Sequence, residues 1–178
     1  IITRSICALA FLSLSLTLQA QKEGYNWFFG YGAGLNFLEG KPVFQAGKMN
    51  QWEGCATISD KRGNLLFYSD GRSVWNKNHA YMPNGRGLKG HNSSTQSCVI
   101  VPSPGNTDQY YLFTVAAEGG ADGLQYSIID SKADDGMGDV TEKNIRLVSP
   151  VCEKITAVKH SNGRDIWVIT HKYRSDEI

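Results

Sequence analysis

Apolar and polar positions along this chain alternate in short runs, not at helical spacing. No stretch after residue 20 sustains an apolar period of 3.6 residues, and runs rich in β-branched and aromatic side chains recur between turn signals. Cys55–Ser59 (CATIS) leads into the turn 60–64, Leu65–Ser69 (LLFYS) into Asp70-Gly71, and Ser73–Asn76 (SVWN) follows. Asp-Gly is a strong turn signal because both residues tolerate positive φ. A second series runs through 97–101 (SCVIV), the turn 102–106, 110–115 (YYLFTV), the Gly-rich loop 118–123 and 124–130 (LQYSIID). A third begins at 154–159 (KITAVK), turns at 161–164 and continues through 166–170 (IWVIT).

With Gly63, Gly105 and Gly163 aligned, Ile58, Ile100 and Val158 coincide, as do Ala56, Cys98 and Thr156. The first strand of each unit therefore carries small or branched residues. The second is aromatic-rich and apolar on both faces, so it must be covered on both. A repeat of roughly 40–50 residues with several strands per unit predicts an all-β chain built as a partial β-propeller of WD40-like blades. The expected units are 55–97, 98–154 and 155–178, after an N-terminal strand and loop segment over 21–54. A β-sandwich is the alternative, but its strands would alternate with outward polar residues, and LLFY, YYLF and WVI do not. Propellers close with about four to eight blades. The chain is therefore expected to be truncated at its C-terminus, and its start at Ile1 rather than Met suggests a missing N-terminus as well.

Residues 1–20 read as a secretory signal peptide. Arg4 precedes an apolar stretch with Ser and Thr interspersed (5–18), and Leu18-Gln19-Ala20 forms a small-residue cleavage pattern. The competing reading, a membrane anchor, requires about 20 apolar residues, more than this stretch supplies. No later segment is long and apolar enough to span, so the mature part is expected to be exported without a membrane span.

Composition narrows the partners. Lys plus Arg total 18 against 17 Asp plus Glu, a balance that argues against a nucleic-acid binder. Of four cysteines, Cys7 lies in the leader; Cys55, Cys98 and Cys152 suit neither a CxxC zinc site nor a dense disulfide framework. One thiol must stay unpaired within the chain, and small buried strand residues are the plain reading of all three.

Several segments in matching order carry a family resemblance: Asn26–Gly30 (NWFFG), Ala33–Phe37 (AGLNF), Glu53–Asp60 (EGCATISD), Gly63–Gly71 (GNLLFYSDG), Val74–His79 (VWNKNH), Met82–Gly85 (MPNG), Ser93–Ser97 (SSTQS), Gly138–Thr141 (GDVT) and Thr156–His160 (TAVKH). They resemble the N-terminal propeller-like region of surface proteins exported by type IX secretion in Bacteroidota. The resemblance implies a large modular protein, with PKD or other immunoglobulin-like domains downstream and a C-terminal sorting domain of the gliding-motility type. It brings no catalytic residues to this chain.

Candidate chemistry is sparse. His79, His91, His160 and His171 form no HExxH or close metal pair, although His160 and His171 flank the third hairpin and could approach. Asp134, Asp135 and Asp139 share a loop with Gly136 and Gly138, a weak calcium candidate that lacks EF-hand spacing. Gly30–Gly34 (GYGAG) fails the GxGxxG spacing and reads as close backbone packing or a bulge. Ser93–Ser97 lacks a GxSxG elbow or SxxK motif, so its hydroxyls are expected to satisfy loop backbone; Asn92-Ser93-Ser94 also matches a glycosylation acceptor. Among Trp27, Trp52, Trp75 and Trp167, Trp75 with Asn76 and His79 follows a turn and is the speculative exposed ligand-binding set, because a flat ring desolvates well against a sugar face. Trp167, between Ile166 and Val168, is expected in the core. The expected function is non-catalytic binding or scaffolding at the cell surface or outside the cell, with polysaccharide or other surface proteins as partners and no cofactor. The alternative is a propeller-type polysaccharide lyase or glycosidase with Asp70 and Glu118 as its carboxylate pair.

Overall fold

The computed structural model describes residues 22–178. The expected leader, residues 1–20, lies outside them. The described chain is all-β, in four antiparallel sheets, none of which closes on itself. The first sheet joins β1 (Asn26–Phe29), β2 (Ala33–Asn36) and β3 (Val43–Phe44). The second is a four-stranded meander of β4 (Ala56–Ser59), β5 (Leu65–Ser69), β6 (Ser73–Asn76) and β7 (Tyr81–Arg86). The third repeats that meander with β8 (Cys98–Ser103), β9 (Asn106–Val115), β10 (Leu124–Asp130) and β11 (Asp139–Val148). The fourth pairs β12 (Val151–Lys159) with β13 (Ile166–Lys172).

The N-terminal segment ahead of β4 forms the first sheet, and β12 begins at Val151, four residues before the expected start of the third unit. The aligned turn glycines fall in the β4–β5, β8–β9 and β12–β13 hairpins, and the Ser149-Pro150 turn immediately precedes β12.

The two-sided apolar strands explain the stacking. In β5, Tyr68 faces the first sheet, where Phe28 and Met49 meet it, while Phe67 faces the third. In β9, Tyr110 and Leu112 pack toward the second sheet, whereas Tyr111 and Phe113 pack toward the fourth. Successive residues of a strand point to opposite faces, so one aromatic-rich strand supplies two cores. First strands line up, with β1 beside β4, β4 beside β8 and β8 beside β12. The close approach puts small residues there: Ala56, Cys98 and Ala157 lie on these strands.

In β13, Ile166 and Val168 face the third sheet. Trp167 is on the other face, 57% exposed, with its ring against His160. The core position expected for it is therefore corrected: strand parity turns it away from the one sheet the fourth packs against. Cys55, Cys98 and Cys152 are all free thiols.

Candidate functional site

Meander topology puts the β5–β6 turn, the β7–β8 connection and the β9–β10 loop at one end of the sheets, here the upper rim, and the β4–β5, β6–β7 and β10–β11 connections at the other. The β7–β8 connection is braced on its neighbours at the upper rim. Leu88 N–H donates to the Arg72 carbonyl (3.1 Å) and Gly90 N–H to the Gly71 carbonyl (2.9 Å). Ser97 Oγ donates to the Asp70 carbonyl (2.8 Å), and Ser94 Oγ reaches the Val115 and Ala116 carbonyls. The hydroxyl-rich Ser93–Ser97 run thus satisfies loop backbone, as its residue types suggested. Gly71 has φ +82°, and a Cβ there would lie 2.1 Å from Ser97 Oγ, so only glycine fits the crossing.

Glu153 on β12 fastens the fourth sheet to this rim. Its carboxylate accepts from Thr95 N–H (3.0 Å), Thr95 Oγ1 (3.2 Å) and Glu118 N–H (2.6 Å). Burial alone would push the carboxyl up, but these hydrogen bonds and the Lys154 ammonium outweigh it and hold it below the ordinary carboxylate value.

The braced connection walls a cleft of about 550 Å³ that is also lined by Lys48, Asp70, Arg72 and Asp122, with Trp75 and Tyr81 as its aromatic residues. That volume lies within the range of ligand sites, roughly 300–1,000 Å³. A second cleft of about 350 Å³, which Glu118 and His91 help to line, adjoins it through Lys89, Gly90 and Asp122.

An aromatic ladder leads to the cleft. Phe28 stacks on Tyr68 (centroids 4.3 Å), Tyr68 on Trp75 (5.4 Å), and Tyr81 follows (5.3 Å), with the Arg86 guanidinium 3.6 Å over its ring. Burial decreases along it: Tyr68 is fully enclosed, Trp75 is 4% exposed and Tyr81 is 47% exposed.

Both carboxylates of the larger cleft are engaged. Asp70 is buried and accepts from Arg72 N–H (2.8 Å), Ser73 N–H (2.7 Å) and Arg72 Nη2 (3.2 Å). Asp122 pairs with Lys89 at 3.7 Å. Lys48 and Arg86 have no ion-pair partner among the described residues, and the buried Arg72 Nε lacks a hydrogen-bond partner. Three cations, Lys48, Arg72 and Lys89, therefore line this cleft against two carboxylates, and Arg86 stands beside it over Tyr81.

The residues singled out from sequence are dispersed. Trp75 lines the cleft, yet its exposure was overestimated: it is sandwiched in the ladder because β6 is an inner strand of its sheet. Asn76 is buried, its Oδ1 accepting from Asn78 and Ala80 N–H in the β6–β7 turn. His79 lies in that lower turn, its Nδ1 3.2 Å from Tyr68 Oη, so the three do not form one exposed surface. Burial first, then the Lys48 charge, lowers the His79 pKa below its ordinary value.

Asp134 and Asp135 occupy the β10–β11 connection and Asp139 opens β11, where its Oδ1 accepts from Asn84 Nδ2 (2.9 Å). No group of three or more His, Cys, Asp or Glu side chains among the described residues could hold a metal ion. Asp70 and Glu118 share the upper rim as expected but line different clefts. His160 and His171 sit at opposite ends of the β12–β13 hairpin; His171 Nδ1 lies 3.2 Å from Cys152 Sγ. Tyr81, Lys48, Arg86 and Lys89 escaped sequence reasoning. Counting strand ends around each meander would have grouped the turns at 70–73 and 86–90, but not Tyr81.

The chain matches no protein-family model, no curated protein and no solved structure.

Proposed function

We propose that residues 55–178 are successive blades of a β-propeller and that this region is a non-catalytic binding or scaffolding module, displayed outside the cell by a larger exported protein. The stacked meanders with first strands in line support the propeller reading, because propeller blades line an axis with their first strands. The motifs that resemble type IX-secreted surface proteins support export.

The observation that carries the functional reading is the cleft at the upper rim. It offers an accessible aromatic ring beside unpaired cations, while Asp70 is held by three hydrogen bonds that build its own turn. Such a site recognises; a glycosidase pair needs two carboxylates facing one bond. Polysaccharide is the partner class best served by this mixture of ring and polar groups. Incubation of the protein with polysaccharides tests the reading. Retention of protein on the polymer without new reducing ends or unsaturated product is expected. Product formation would replace the module with the carbohydrate-active enzyme, and absence of retention on every polymer would refute binding.

A further inference from the structure

The same cleft carries a charge preference. Asp70 offsets Arg72 and Asp122 offsets Lys89, which leaves Lys48 in the cleft without an opposing carboxylate; Arg86, beside the cleft over Tyr81, has none either. Arg86 stands over Tyr81 with its guanidinium carbon 3.6 Å from the ring centroid, a cation–π contact that leaves its N–H donors free. Among the described residues none of its nitrogens donates to a protein acceptor, and the Lys48 ammonium likewise makes no protein hydrogen bond. A planar fork held on a ring matches a carboxylate or sulfate in two-point geometry. A second cleft adjoins this one and shares Lys89, Gly90 and Asp122 with it, so the two together suit a chain more than a single small anion.

We infer that this cleft binds an acidic polysaccharide, with Lys48 and the adjoining Arg86 taking its carboxylate or sulfate groups and Tyr81 holding the guanidinium in place. The inference rests on the binding-module reading and adds the ligand's charge to it. Nearly balanced overall charge, 18 basic against 17 acidic residues, makes the preference a local property of the cleft and not a general attraction to polyanions.

Affinity electrophoresis and calorimetry with polygalacturonate (carboxylate), dextran sulfate (sulfate), dextran (neutral) and single-stranded DNA test it. Polygalacturonate or dextran sulfate should bind and dextran should not; whichever acidic polymer binds identifies the group recognised. Lys48→Gln and Arg86→Gln should each weaken binding roughly three- to tenfold at low salt, with the loss shrinking as salt is raised. Lys61→Gln, at the opposite rim, should leave binding unchanged. Circular dichroism and thermal melts that match the parent's keep these comparisons free of folding effects; Lys48 projects into solvent, and glutamine preserves a planar group over Tyr81. Dextran bound as well as polygalacturonate would overturn the acidic preference while leaving the module reading intact. Equal binding of DNA would overturn the glycan assignment, equal loss in all three variants would overturn the location, and no binding of any polymer would remove the module reading itself.

Discussion

Glu153→Gln isolates the contact that fastens the fourth sheet to the rest. In the parent, one carboxylate oxygen accepts from Glu118 N–H and the other from Thr95 N–H and Oγ1. Glutamine keeps one carbonyl oxygen and replaces the other with an NH₂ group, which turns donors toward donors. Hydrogen bonds to charged groups contribute about 1.5–3 kcal/mol each when shielded, and surface solvation reduces that. A net loss of about 1–2 kcal/mol follows for the variant at pH 7, read by urea titration of tryptophan fluorescence. The pH dependence has a definite sign. A carboxyl held below its unfolded value contributes stability that is complete above the ordinary carboxylate range and disappears as pH falls through the lowered folded value. The gap between parent and variant should therefore close on acidification from pH 7 to pH 3, and the Thr95 and Glu118 amides should lose hydrogen-exchange protection in the variant at neutral pH. A variant within about 0.3 kcal/mol of the parent at pH 7 would refute the argument, as would a gap that persists undiminished at pH 3.

Other expectations follow from the same structure. Gly71→Ala combines positive φ with a clash against Ser97 Oγ and should destabilise by about 2 kcal/mol or more in chemical denaturation, with weakened ligand binding at the cleft. Leu112→Ala empties a fully buried position between the second and third sheets and should cost about 2–5 kcal/mol by the same measurement. Mass-resolved thiol labelling of the folded protein should modify Cys152 well before Cys98. Burial, then the nearby Cys55 and Asp70 charges, pushes the Cys98 thiol far up and removes its thiolate. In Lys48→Gln the His79 pKa should rise toward its ordinary value by NMR titration, since one of the two causes that lower it is gone. Because folding lowers that pKa, the His79 contribution weakens stability as pH drops below about 6.5. An unchanged titration would show that burial acts alone.

Much of the architecture was legible before any coordinates. LLFYS and YYLFTV announce strands covered on both faces, and Phe67/Tyr68 and Leu112/Phe113 divide between neighbouring cores as that pattern requires. The site was legible only in fragments. The Asp70-Gly71 turn was recognised, but a turn signal does not say which other loops share its end of the sheet. Trp75 looked like a surface ring because it follows a turn; the stacking of Tyr68 and Tyr81 on either side encloses it. Trp167 looked like core because its neighbours are apolar, but parity along β13 places it on the uncovered face.

Local chemistry thus determined where strands begin, where they turn and that each sheet must be sandwiched, because backbone preference and side-chain alternation act over a few residues. Which charges meet at the cleft was decided by tertiary structure alone. Arg72, Arg86 and Lys89 meet through strand pairing within the second sheet, and only the stacking of one sheet on the next brings Lys48 and Asp122 to them. Electrostatic balance depends on distances of a few ångströms between residues far apart in the chain, and no short-range pattern encodes those distances.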